Sequence, residues 1–162
     1  MTFAHILPRA FFIFCENTWP GSYLVKSQWG FAIVETFHIM ALGMLLGTLA
    51  IVDIRLLGFG MRRQTPAQLY NDLAPWTWLG VVLMVCTGVP LFMSEAQRLS
   101  ASGPFFYKMV FLTLALVTHF TLHRRVTMSG ATVGSGLGKL AGCLSLLCWL
   151  GVALAGRAIA FI

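Results

Sequence analysis

Four long apolar runs, separated by short polar stretches, organise this chain. The first contains a single charge, Glu35, and is closed by Asp53, Arg55, Arg62 and Arg63. The second carries no charge; Pro75 stands at its start, where a missing N–H costs a helix little, and Glu95 and Arg98 follow it. The third opens at Pro104, holds Lys108 near its start and ends in His123, Arg124 and Arg125; the fourth lies between Lys139 and Arg157. With their flanks the runs cover residues 29–55, 76–94, 105–123 and 139–158. Each apolar stretch is roughly 17–24 residues long, the length that crosses about 30 Å of hydrocarbon as a helix. None shows the alternation of a barrel strand, and a helix satisfies its own backbone in lipid. The pattern predicts an all-α fold: an integral membrane four-helix bundle forming one transmembrane domain over residues 1–162. Residues 1–28 are different. Pro8, Arg9, Glu16, Asn17 and Pro20 interrupt the apolar stretch, which is too short to span, so a short N-terminal interfacial helix is expected, with Trp19, Tyr23 and Trp29 in the headgroup belt.

Composition agrees. The apolar fraction is 58% and the charged fraction 10%, against about 25% charged in soluble domains. The net charge of +6 comes mostly from residues flanking the spans. It reads as membrane topology with the lipid bilayer as partner, and not as a nucleic-acid footprint. Four spans put both ends of the chain on one side, face A, with the loop near Glu95. Face B holds the loops after the first and third spans. Arg55, Arg62, Arg63, Arg124, Arg125 and Lys139 on face B slightly outnumber Arg9, Lys26, Arg98, Lys108 and Arg157 on face A. Face B is therefore expected on the cytoplasmic side and the termini on the periplasmic side. Cys15, Cys86, Cys143 and Cys148 form no CxxC pair and read as packing residues. Gly-rich residues 130–138 fail the P-loop pattern, since Gly138-Lys139 is followed by Leu140, and read as a connecting loop. Gly43 and Gly47 have the GxxxG spacing that admits close helix contact in a homo-oligomer or a larger membrane complex.

Ionisable side chains inside spans are costly, which makes each a functional candidate. Glu35 and His38 are spaced i, i+3 on one helix, and Asp53 lies five turns beyond Glu35 on the same face; Arg55 points nearly the opposite way. Glu35, His38, Asp53 and Arg55 form the expected intramembrane polar set. Lys108 and Arg157 fall in the same half as Glu35 and His38, although long basic side chains near helix ends also snorkel. Two functional readings follow. In the first, a b-type haem or a quinone occupies a polar site for electron transfer, with His38, His119, His123, Lys108 and Arg157 as cofactor-binding candidates. His38 and His119 are the proposed haem-iron ligands, because a rise of 1.5 Å per residue puts them roughly 14 Å and 16–21 Å from face A. His123 is deeper, by about 6 Å. Lys108 or Arg157 would pair with propionates. In the second reading the chain is a non-enzymatic accessory subunit, or a small transport or proton-relay protein using Glu35, His38, His119 and Asp53. There is no GxSxG or HExxH, and no catalytic residue is assigned.

The run ETFHIMALGMLLGTLAIVDIRLLG (35–58) resembles the first helix of a bacterial family of uncharacterised four-helix integral membrane proteins, a domain of unknown function. APWTWLG (74–80) with TGVPLF (87–92), FYKMVFLTLA (106–115) and SLLCWLGVALAGRAIAF (145–161) extend the resemblance over nearly the whole chain. It implies an inner-membrane protein with recurring polar positions at Glu35, His38, Asp53, Arg55, Lys108, His123 and Arg157. It also implies asparagine where this chain has His119.

Overall fold

The computed structural model describes residues 2–60, 63–128 and 135–161. Arg62, and residues 130–134 of the Gly-rich connection, lie outside them. Among the described residues there are helices and no strand. Short helices α1 (Arg9–Asn17) and α2 (Trp19–Lys26) precede the long α3 (Gly30–Leu56) and α4 (Pro66–Ser94). A short α5 (Ala96–Ser100) leads into α6 (Gly103–Thr118), which runs through a π-helical segment, His119–His123, into α7 (Arg124–Met128). The last long helix is α8 (Gly136–Ala158). Four helices are long and apolar enough to cross a membrane: Gly30–Leu56, Pro66–Ser94, Gly103–Met128 and Gly136–Phe161.

Local chemistry explains where these boundaries depart from the apolar runs. α4 starts ten residues before position 76 because Thr65 caps it: the Thr65 hydroxyl accepts from Gln68 N (3.2 Å), and the Gln68 side chain accepts from Thr65 N (2.9 Å). Pro66 then occupies the first turn, and Pro75 lies inside the helix rather than at its start. Ser135 caps α8 by accepting from Gly138 N at 3.2 Å, so Gly136 and Gly138 are helical and not part of a loop. The N-terminal segment is two helices instead of one. Thr18, extended at φ −68°, ψ 154°, ends α1 and starts α2, with Pro20 in the first turn of α2. This hairpin is tied down at face A: Glu16 accepts from Gln97 N (2.8 Å) and from the Gln97 side-chain amide. Phe12 and Cys15 of α1 bury against Ala96.

The long helices pack as two pairs, α3 with α4 and α6 with α8, joined by α3 against α8. Glycines mark the closest approaches. A Cβ at Gly80 of α4 would stand 3.1 Å from the Cβ of Leu45 on α3, and one at Gly142 of α8 would stand 2.9 Å from the Asp53 carbonyl oxygen. The core at the centre is Leu45, Leu49, Ala115, Cys148, Trp149 and Val152. Val82, Val85, Leu114, Leu147, Leu150 and Leu154 are exposed. That much outward apolar side chain would be a liability in water and is what hydrocarbon accommodates. Gly43 and Gly47 meet nothing within 4 Å and face outward.

Candidate functional site

The most deeply buried ionisable groups meet between α3 and the π-helical segment. His123 Nε2 and Asp53 Oδ1 share a hydrogen bond of 2.7 Å, and both side chains are fully buried. The remaining polar atoms of the pair, Asp53 Oδ2 and His123 Nδ1, have no hydrogen-bond partner among the described residues. Nor does Thr127 Oγ1, one helical turn beyond His123; Ser145 Oγ, one turn beyond Gly142, faces the Asp53 carboxyl without a well-formed hydrogen bond. The absent side chain at Gly142 lets α8 press onto the backbone at Asp53, which is why this carboxyl is covered.

His119 extends the pair. Its ring stacks on that of His123 with centroids 5.2 Å apart at 25°. Tyr70 of α4 lies against both rings, 6.0 Å from His119 and 6.3 Å from His123. The wider turn of a π-helical segment brings side chains four apart closer to one azimuth, which favours the stack. Such segments cluster at functional sites. Nearly parallel rings do not aim two in-plane lone pairs at one point, so His119 and His123 do not chelate a common ion. Among the described residues no group of three or more His, Cys, Asp or Glu converges as a metal site.

His119 also opens onto a cleft. α4 forms one wall with Tyr70, Leu73, Ala74, Thr77, Trp78 and Val81; Leu116, His119 and Phe120 form the other; Leu45, Thr48, Leu49, Val52 and Trp149 form the floor. At its mouth the exposed rings of Trp78 and Phe120 stand 6.0 Å apart. Inside, Thr77 Oγ1 donates to Thr48 Oγ1 at 3.0 Å, while His119 Nδ1 and Trp149 Nε1 are buried with no partner among the described residues. The cleft is an apolar slot between two membrane-spanning helices, with a few polar atoms at its end; it encloses about 30 Å³, room for a water or two, so a ring-sized ligand would have to part α4 from α6.

The other candidates are dispersed. His38 bonds through Nδ1 to Thr87 Oγ1 at 2.8 Å, and its ring sits where a Cβ at Gly88 would come within 3.0 Å. His119 lies against the Thr48–Val52 level of α3, ten to fourteen residues beyond His38, about 15–21 Å along the axis. The fold does not bring His38 and His119 together as a ligand pair; His119 stands at the depth of His123 instead. Glu35 does not join an inward stripe. It is exposed, although it shares its helical azimuth with buried Asp53, because the tight glycine contacts of α8 with α3 are at Gly138 and Gly142. Arg55 is a loop staple and not part of the polar cluster. It donates to the Gln64 carbonyl (2.8 Å) and the Gly60 carbonyl (3.4 Å), pinning the turn in which Gly58 (φ 98°) and Gly60 (φ 65°) take left-handed backbone. Arg157 is exposed, its guanidinium 4.8 Å from the Phe161 ring centre, while Lys108 lies along α8 with Nζ 3.7 Å from a Cβ at Gly156. Tyr70, Thr77, Thr87, Thr127, Ser145 and Trp149 are not singled out by the sequence; hydroxyls and an indole in apolar runs carry no charge signal.

The chain matches, over residues 11–162, the model of a family of unknown function, DUF6644. This agrees with the resemblance carried by residues 35–58 and the three later stretches. No curated protein and no solved structure matches it.

Proposed function

The chain belongs to this family of unknown function, so its activity must come from its own geometry, and we propose that it binds a quinone-type molecule in the cleft between α4 and α6. Protons would pass to and from that molecule through His119 and the His123–Asp53 pair. One observation carries the reading: a fully buried Asp–His pair continues, through stacked histidines, to an apolar cleft between membrane-spanning helices. A quinone head is flat and apolar with carbonyl oxygens at its edges. Trp149 Nε1 and the N–H of the His119 ring are donors of the kind those oxygens need. Ring reduction takes up protons along with electrons, and the residues assembled here bear on the protons; the electrons would come from a separate membrane reductant. His123 Nδ1, which has no partner among the described residues, is the ring nitrogen left to exchange a proton beyond the pair.

The b-type haem reading would rest on a single histidine, because His38 and His119 do not meet. The quinone reading needs no metal ligand and uses the residues the fold assembles. The proton-relay reading without a ligand shares Asp53 and His119 but gives no role to the cleft. For orientation, this proposal keeps face B on the cytoplasmic side of a bacterial inner membrane.

Titration of the purified protein with a short-chain ubiquinone, followed by tryptophan fluorescence, tests the binding. Saturable quenching is expected, weakened about tenfold in His119→Leu through loss of a buried hydrogen-bonding group. Quenching that does not saturate, or that is equal in wild type and variant, would sink the proposal.

A further inference from the structure

The Asp53–His123 pair lies close to one end of the bundle. Asp53 stands three residues before the end of α3 at Leu56 and 23 after its start at Gly30, about 5 Å and about 35 Å along the axis. His123 lies five residues before Met128, about 8 Å from that end of its span. Arg124 and Arg125, next to it in the chain, are exposed, and Arg55 reaches the Gly60 and Gln64 carbonyls in the turn before α4. Charged side chains at this level mark the headgroup region of face B. The pair is buried in protein, yet water at face B is near.

Its surroundings differ on the two sides. α8 runs antiparallel to α3, with Gly138 at Leu56 and Gly142 at Asp53. Toward face A the pair meets Ser145, and Cys148, Trp149 and Val152 follow on α8 within the apolar core. Toward face B the next polar group is Thr127, 2% exposed, whose Oγ1 has no partner among the described residues. It follows His123 by four residues of helix, which puts both on one face. Helical side chains tilt toward the N-terminus of their helix, so Thr127 leans back toward His123. His123 Nδ1, the ring nitrogen not engaged with Asp53, is likewise buried without a partner among the described residues. A hydroxyl both donates and accepts, so Thr127 can serve that nitrogen on one side and water on the other.

We infer that protons reach the Asp53–His123 pair from face B alone, through the Thr127 hydroxyl. The hydroxyl gives its hydrogen to His123 Nδ1 and takes another on its oxygen from the face-B side, so it ends unchanged. The ring, then carrying a hydrogen on each nitrogen, shares the added charge with the Asp53 carboxyl across the 2.7 Å bond. Valine would fill the space of Thr127 with no hydrogen to pass. The route stands on the geometry around the pair. Its use by a quinone rests on the reading above, and it makes that reduction draw its protons from one side of the membrane.

The protein in phosphatidylcholine nanodiscs, with isotope-labelled histidine nitrogens, tests the route. The chain has four histidines, so the His123 signals are assigned by their loss in His123→Gln. Exchange of the His123 ring hydrogens with water should slow about tenfold in Thr127→Val, the kinetic equivalent of losing one hydrogen-bonding partner. Thr127→Ser should exchange like the wild type, and Ser145→Ala, on the face-A side, should not slow it. Equal rates in wild type and Thr127→Val, or slowing in Ser145→Ala, would overturn the proposal. If Thr127→Val does not fold, Thr127→Ala set against Thr127→Ser makes the same comparison. Thr127 does not line the cleft, so Thr127→Val should bind the short-chain ubiquinone with wild-type affinity. The two readings therefore fail separately: absent quinone binding leaves the exchange result standing, and an exchange rate indifferent to Thr127 leaves the quinone titration standing.

Discussion

Asp53 and His123 stand 70 positions apart and bond at 2.7 Å with no exposure. Removing one member of such a pair leaves the other buried and unsatisfied. Asp53→Leu should therefore cost about 1–3 kcal/mol of stability, the penalty for a stranded buried polar group, and more if the pair is ionised. Asp53→Asn, which still offers an oxygen to His123 Nε2, should cost less. Thermal unfolding in detergent measures the difference; two equal losses would show that the carboxylate's hydrogen bond is not what holds the pair. Both residues were legible in the sequence as ionisable groups inside spans, but their partnership was not. Depth counted from the ends of apolar runs favoured His38 with His119. The true pairing depends on which helix α8 presses against α3 and at what level, and Gly142 sets that through contact rather than pattern. Thr87, Ser145 and Thr127 escaped notice because a hydroxyl in an apolar run can bond its own helix backbone and need have no distant role.

The helices as elements were easier to read than their limits. Four spans follow from length and hydropathy, but α4 begins at a capping box that lies in a polar stretch, and this is what carries Tyr70 into the bundle and onto the histidines. The T-P-x-Q signal at Thr65–Gln68 was present in the sequence and marks such a start. The π-helical turn has no comparable signature. Glycines also separate at this scale. Gly142 and Gly43 are both helical, yet a Cβ at Gly142 would stand 2.9 Å from the backbone oxygen of Asp53, while one at Gly43 meets nothing within 4 Å. A backbone atom cannot swing aside as a flexible side chain can. Gly142→Ala should thus be destabilising by about 1–3 kcal/mol, the usual cost of overpacking, and should also weaken quinone binding by displacing Asp53. Gly43→Ala should leave the unfolding midpoint no lower and raise it slightly, since alanine is the better helix former by about 0.5–1 kcal/mol. A Gly142→Ala protein as stable as wild type would mean that α8 does not rest on α3 at this point.

At the scale of the molecule, two helix pairs joined along α3 and α8 leave α4 and α6 as the walls of a slot rather than as packed neighbours. That arrangement suits a lipid-borne ligand, because the exposed rings of Trp78 and Phe120 stand at the mouth of the slot, on its α4 and α6 walls. It depends on α4 lying in the bilayer along its middle, and a native residue reports on this directly. Cys86 of α4 and Cys143 of α8 are exposed on the protein surface, whereas Cys15 and Cys148 are buried, so in a Cys143→Ser background labelling reports on Cys86. In intact membranes Cys86 should resist a membrane-impermeant maleimide, because a thiol in hydrocarbon does not ionise to the reactive thiolate, and should react once the protein is unfolded in detergent. Cysteines introduced at Gln64, in the turn before α4, and at Ala101, between α5 and α6, are both exposed positions at opposite ends of the bundle. They should react with the impermeant reagent from opposite sides, Gln64→Cys from the cytoplasm and Ala101→Cys from the periplasm. Reaction of both from one side would dismantle the four-span topology. Reaction of Cys86 with the impermeant reagent would place the middle of α4 in water, and a slot opening beside it would then draw its ligand from solution instead of lipid.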